Sequence, residues 1–324
     1  MLKAPKIAIT GGSGHLGNCL IDKLLSEGYL INALYTSNLP SKKHNNLNWI
    51  QGDICDLNVI TTLVENCNVL IHSAGIISIG HKNNEEVYRV NVAGTDAIIN
   101  ICIKLPTIRL IHISSSNAVK ESKENIIFNE DRPYKTANDF IYPYSKALGE
   151  QLVLKAVTAH NLNAIIIRPT SIVGPSDYKP SLLGQTILDL SRNKLPAITT
   201  GGYDLVDVRD LSQTIINSFT KGKKGSIYLV GGEYMTVKQI AEASNSNKTP
   251  TVISLNILLL LMPFINIYQK LFKLKWPITK ESLVTLKLAP KKVDISKAKN
   301  ELNHNCRPIT ETINDLKTWF KKNN

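Results

Sequence analysis

Cysteine is sparse and scattered in this chain. The five residues Cys19, Cys55, Cys67, Cys102 and Cys306 form no Cys-x-x-Cys pair, which excludes a zinc knuckle or a disulfide framework and fits a reducing compartment. Seven histidines show no His-Glu-x-x-His spacing, so no metal is expected. Aromatic residues make up only 6%, and no arginine-rich helix or aromatic–basic interleaving points to nucleic acid. Long apolar runs are missing too. The longest, Ile257–Ile267, is interrupted by Pro263 and is much shorter than the roughly 20 residues a membrane span needs. The chain reaches its first strand at Lys6 with no signal-peptide architecture, so a cytoplasmic location is expected.

What is present reads as a globular protein. The 324 residues, 43% apolar and 20% charged, can bury one or two cores. The net charge of +12 suits an anionic cofactor, an acidic membrane surface or simply a lysine-rich solvated exterior. Short apolar runs alternate with helix-length segments. Strands are predicted at Lys6–Thr10, Leu30–Tyr35, Leu47–Gln51, Val69–Ser73, Arg109–Ser114 and Ala164–Arg168. Helices are predicted at His15–Glu27, Leu57–Asn66, roughly Asn84–Lys104 and from Tyr142 to about His160. That alternation predicts an α/β fold with a doubly wound parallel sheet, its ligands at the carboxyl ends of the strands. The parallel-sheet domain is expected over 1–174, with 203–230 returning to it. Residues 175–202 and 231–324 form a smaller, mainly helical substrate lobe.

Two segments carry the chemistry. Thr10-Gly11-Gly12-Ser13-Gly14-His15-Leu16-Gly17 follows the first strand. Gly11 permits a tight turn, Gly14 a close approach of backbone to a pyrophosphate, and Gly17 close packing of helix on sheet; the helix N-terminus offers N–H groups to the phosphates. Tyr142-Pro143-Tyr144-Ser145-Lys146 opens a later helix. Tyr142 and Lys146, four apart, share one face, so an ammonium can help a phenol exchange protons.

These segments resemble the extended branch of the short-chain dehydrogenase/reductase superfamily, over nearly the whole chain. The resemblance implies a Rossmann sheet and a bound nicotinamide dinucleotide. It implies an adenine contact at Asp53 and Ile54, although on its own Asp53 reads equally as a helix N-cap. It also places Ser73, Ala74 and Gly75 beside the adenine ribose and makes Asn91 a structural asparagine. Of the serine turn Ser114-Ser115-Ser116, the match assigns the third, Ser116, to the reacting oxygen, with Ser115 as fallback and Ser114 on the cofactor side. Tyr142 is then the general acid/base, Lys146 binds the nicotinamide ribose, and Pro169 and Val173 lie against the carboxamide. After the second strand stand Tyr35, Thr36 and Ser37, with Lys42 and Lys43 beyond. No carboxylate is there to reject a 2′-phosphate, so NADP(H) is favoured over NAD(H).

Substrate class is less directly written. Nucleotide-sugar enzymes of this branch continue the serine turn with Val-Tyr-Gly, where this chain has Val119-Lys120-Glu121. They place Asn where Ser171 stands, and an arginine-rich approach where Gly201-Gly202-Tyr203-Asp204 stands. The pattern is closer to the dihydroflavonol reductase and 3β-hydroxysteroid dehydrogenase group. Hydride transfer to or from a carbonyl or secondary alcohol of a small lipophilic substrate is therefore expected. A nucleotide-sugar epimerase or dehydratase with tightly bound NAD, and a non-catalytic dinucleotide-binding regulator, are the alternatives. A weak membrane-surface contact near 257–275, or an ordinary buried helix there, and a homodimer all stay open.

Overall fold

The computed structural model describes residues 5–78, 84–121, 126–244, 250–272 and 279–323, with side chains of 266–272 left aside. In chain order the elements are β1 (Lys6–Thr10), α1 (His15–Ser26), β2 (Leu30–Tyr35), β3 (Leu47–Gln51), α2 (Leu57–Leu63) and β4 (Val69–His72). α3 (Asn84–Tyr88) runs through a π-turn at Arg89–Ala93 into α4 (Gly94–Lys104), followed by β5 (Arg109–Ile113) and a 3-10 turn at Ser116–Ala118. Next come α5 (Ile141–His160), β6 (Ala164–Pro169), β7 (Ser171–Val173), α6 (Leu182–Ser191), β8 (Ala197–Thr199), β9 (Gly202–Asp207) and α7 (Val208–Lys221). The chain closes with β10 (Ile227–Val230), β11 (Glu233–Thr236), α8 (Val237–Ala243), β12 (Thr251–Ile253), α9 (Leu255–Phe272), α10 (Lys280–Leu288), α11 (Ser296–Leu302) and α12 (Ile309–Asn323).

The apolar runs of β1, β4, β5 and β6 are buried on both faces, as a parallel sheet covered by helices requires. Seven strands pair in parallel in the order β10-β6-β5-β4-β1-β2-β3. The order reverses between β1 and β4, where a doubly wound sheet opens its ligand crevice. One core layer joins α1, α7 and α11 to one face; the other joins α2, α4 and α5 to the opposite face. A third core, built from α6, α8, α12 and their neighbours, underlies the C-terminal region.

Several elements differ from the sequence expectation. The single helix expected over 84–104 carries a π-turn around Asn91, an insertion common near functional sites. α2 ends at Leu63 rather than Asn66, whose φ of 58° is left-handed. Of 203–230, α7 and β10 pack with the large sheet, whereas β9 pairs with β7 and β11 in a separate three-stranded sheet. The short pair β8–β12 was not foreseen. Pro143 is accommodated because α5 starts at Ile141, and a first-turn proline removes only an N–H that has no helical partner.

Candidate active site

The glycine-rich turn is shaped by contact, not by flexibility alone. Gly11 has φ +72°, and a Cβ there would lie 2.7 Å from the Ala74 nitrogen; one at Gly17 would lie 2.2 Å from the Gly11 oxygen. β1, the end of β4 and the start of α1 therefore converge only with glycine at these positions. α1 opens at Gly14, with no side chain capping its first N–H groups, the kind of helix start that can receive an anion. Ser13, Leu16 and the backbone of His15 share this turn. The His15 ring points elsewhere: its Nε2 lies 3.0 Å from the carbonyls of both Gly174 and Pro175. His15 thus ties the turn to the loop after Val173, which is buried at the end of β7.

Behind the turn lies a histidine network that sequence reading missed. Thr95 Oγ1 donates to the Asn91 carbonyl at 2.7 Å and so accepts from His72 Nε2–H at 2.9 Å. His72 Nδ1 accepts from Thr10 Oγ1 at 2.8 Å, and Thr10 Oγ1 in turn accepts from the Ala74 N–H at 3.2 Å. Every partner is satisfied by neutral His72. Burial first, then the Lys146 charge, holds its pKa down to about 3. His112, its ring centroid 5.2 Å away, is equally buried, and neither of its ring nitrogens has a partner among the described residues. Burial, then His72 and Lys146, drives its pKa well down.

A pH dependence of stability follows. Both histidines take up a proton in the unfolded chain near pH 6.5 but resist it when folded, so the unfolded state binds more protons below that pH. Stability is therefore expected to fall as pH drops from about 6.5 toward 3, read as a falling urea midpoint. His112→Leu removes two unsatisfied nitrogens at little volume cost. It should flatten that slope and leave stability at pH 7 unchanged or higher; an unaltered slope would remove His112 from the account.

Tyr142 and Lys146 occupy one face of α5. The Lys146 ammonium is buried, donates to the Ile113 carbonyl at 2.9 Å, and would lie 3.3 Å from a Cβ on Gly75. Burial pulls its pKa down to about 8, opposed by Glu150. Burial pushes the Tyr142 phenol up, while the Ser115 hydroxyl beside it opposes the shift. Ser115 caps the 3-10 turn by accepting from the Asn117 N–H at 3.1 Å. It is thus the serine set against the phenol, and Ser116 begins the turn itself. Ser114 is buried, with its hydroxyl unpaired among the described residues. Asn91 clamps the site: its side chain exchanges hydrogen bonds with the Ile76 backbone at 2.7 and 3.0 Å and donates to Ser145 Oγ at 2.9 Å. Ser145 Oγ donates to the Tyr142 carbonyl at 2.8 Å, so the π-turn fixes the helix that carries the phenol.

The residues expected at the adenosine end lie after β2 and β3. Asp53 does not cap α2; Asp56 does, by accepting from the Asn58 and Val59 N–H groups. Asp53 instead receives Arg89 Nη1 at 2.9 Å on both oxygens and the Cys55 N–H at 2.8 Å. Arg89 is the main cause of its lowered pKa. Ile54 is buried beneath Gly94. Tyr35 stands edge-on to Trp49, and Trp49 Nε1 donates to the Lys42 carbonyl at 2.9 Å. This pins the loop after Thr36 and Ser37. The Lys42 ammonium is not free: it pairs with Asp22 on α1.

A sequence model of the NAD dependent epimerase/dehydratase family matches residues 7–231. The chain is 32% identical over 240 residues to sterol demethylase protein B of Methylococcus capsulatus, covering 72% of each chain. It is 28% identical over 328 residues to a putative dihydroflavonol 4-reductase of Synechocystis, covering 97% of this chain and 94% of the other. Its fold matches dTDP-glucose 4,6-dehydratase of Bacillus anthracis, solved in complex with NAD, with TM-score 0.79 and 19% identity over 99% and 97% of the two chains.

Proposed function

Because the chain belongs to the NAD dependent epimerase/dehydratase family, we propose that it moves a hydride between a nicotinamide dinucleotide and a carbonyl or secondary-alcohol carbon of a small lipophilic substrate. The observation that carries this reading is the Tyr142–Lys146 pair, with its ammonium buried against the Ile113 carbonyl and a serine beside its phenol. A protein that only bound the dinucleotide would have no use for that phenol.

The dinucleotide, when bound, supplies or accepts the hydride; the protein does the rest. The glycine turn and the start of α1 hold the pyrophosphate. Asp53 and Ile54 meet the adenine, Ser73, Ala74 and Gly75 the adenine ribose, and Pro169 and Val173 the carboxamide, with Ser114 on the same side. Lys146 anchors the nicotinamide ribose and favours the phenolate by its charge. Tyr142 gives or takes the proton of the substrate oxygen, and Ser116 binds that oxygen. Ser115, already committed to the Asn117 N–H, holds the phenol. Thr36, Ser37, Lys42 and Lys43 favour NADP(H) over NAD(H), with Lys42 exchanging Asp22 for a 2′-phosphate. The lipophilic substrate is supported by Val119-Lys120-Glu121, Ser171 and Tyr203, and by relatives named for sterol and dihydroflavonol chemistry. A homodimer through the α3–α4 and α5 helices belongs to the same reading.

Titration with NADPH and NADH, followed by nicotinamide fluorescence, and then a screen against lipophilic ketones and nucleotide sugars, tests the whole. Tighter NADPH binding and ketone-dependent oxidation are the expected results. Retained NAD with conversion of nucleotide sugars alone would replace this reading with the epimerase one.

A further inference from the structure

α9 is apolar on two sides, and among the described residues only one of them is covered. Leu255 and Met262 are 5% and 3% exposed, and Leu259 packs with the C-terminal core. At about 100° per residue, Ile257, Leu260, Leu261 and Phe264 fall together on the opposite side. Their exposures are 52%, 75%, 42% and 69%. A helix lying on a water-facing surface carries polar residues there, yet Asn256 is the single polar residue between Leu255 and Ile265. A cation is set at the end of this stripe: Lys287 Nζ donates to Asn256 Oδ1 at 2.9 Å, beside exposed Leu288.

We propose that this face of α9 docks the protein on an anionic lipid surface. The choice of occupant rests on charge. From 243 to 280 the sequence has no Asp or Glu, while it carries Lys248, Lys270, Lys273, Lys275 and Lys280. Five lysines and no carboxylate between Glu242 and Glu281 in sequence, around an apolar stripe, is the composition that headgroup-level binding favours. A second copy is disfavoured by the same fact. A twofold interface would set this lysine-rich stretch of sequence against its own copy. Crossing the bilayer is not the role, since no helix among the described residues is long and apolar enough, and Pro263 lies inside α9. The inference extends the lipophilic-substrate reading by giving such a substrate a surface to leave from, but its test is binding alone.

The full chain is floated on vesicles of phosphatidylcholine with and without phosphatidylserine, at low and high salt. Recovery with the phosphatidylserine vesicles, lost at high salt, is the expected result. The double variant Leu260→Glu with Phe264→Glu should partition roughly tenfold less while binding NADPH or NADH as the parent does. No flotation, or equal flotation on both vesicle types, overturns the proposal. So does a concentration-dependent dimer on gel filtration that the same variant dissolves. Failure of carbonyl reduction would leave these readouts intact, so the two readings fail separately.

Discussion

Replacing Tyr142 with Phe is expected to lower turnover by about 10²–10⁴-fold while leaving dinucleotide binding and the urea midpoint close to the parent's. Phe fills the same half-buried space on α5, so the variant removes a proton-transfer group and little packing. The effect should fall on kcat, because the phenol acts on the oxygen only as its charge changes. Lys146 adds a pH signature. Its ammonium persists below about pH 8 and is lost above, and with it goes the charge proposed to favour the phenolate. Turnover should therefore decline on the alkaline side of that value. Ser116→Ala should cost turnover at unchanged pH profile. Ser115→Ala should move the phenol's titration upward, because the Ser115 hydroxyl opposes its raised pKa. Near-full turnover in the folded, cofactor-loaded Tyr142→Phe protein would remove Tyr142 from the chemistry.

Residues whose meaning lies in local spacing are legible in the sequence alone. The glycine turn needs a strand before it and a helix after it, and the apolar run Lys6–Thr10 and the periodicity from His15 supply both. Tyr142 and Lys146 share a face of α5 because four residues make about one helical turn. What stayed hidden depends on pairing across long separations. Nothing in Tyr35-Thr36-Ser37 announces that Lys42 will meet Asp22, which lies on a helix 20 residues earlier. The π-turn at Arg89–Ala93 does not disturb apolar periodicity enough to be read, yet it sets Asn91 against Ile76 and Ser145. His72 follows Val69, Leu70 and Ile71, and His112 lies between Ile111 and Ile113; only the parallel β4–β5 register makes them neighbours. The strands β8 and β12, three residues each, are too short for an alternating pattern to show.

The largest loss of stability is expected from breaking one ion pair. Glu150 and Arg168 are 0% and 1% exposed, and Arg168 Nη2 donates to Glu150 Oε2 at 2.6 Å while its Nε meets both oxygens at 2.9 and 3.0 Å. Tyr134 OH donates to the same carboxylate at 3.1 Å, and Arg168 Nη1 donates to the Glu130 carbonyl at 2.7 Å. Glu130 in turn accepts from the Leu229 N–H at 2.9 Å. One buried charge pair thereby ties α5, β6, β10 and the segment before α5 together. Glu150→Gln leaves the guanidinium buried without its counter-charge and should cost about 3–5 kcal/mol, far beyond the 0–1 kcal/mol of exposed pairs such as Lys238–Glu242. Urea denaturation measures it. Replacing both partners, Glu150→Met with Arg168→Met, should recover most of the loss, because no uncompensated charge remains. The pair also reaches the site, since Glu150 is four residues from Lys146 and raises its pKa. In Glu150→Gln the alkaline decline in turnover should therefore begin below pH 8. A loss of less than about 1 kcal/mol, the range of an exposed pair, would show that the charges are not what joins α5 to β6.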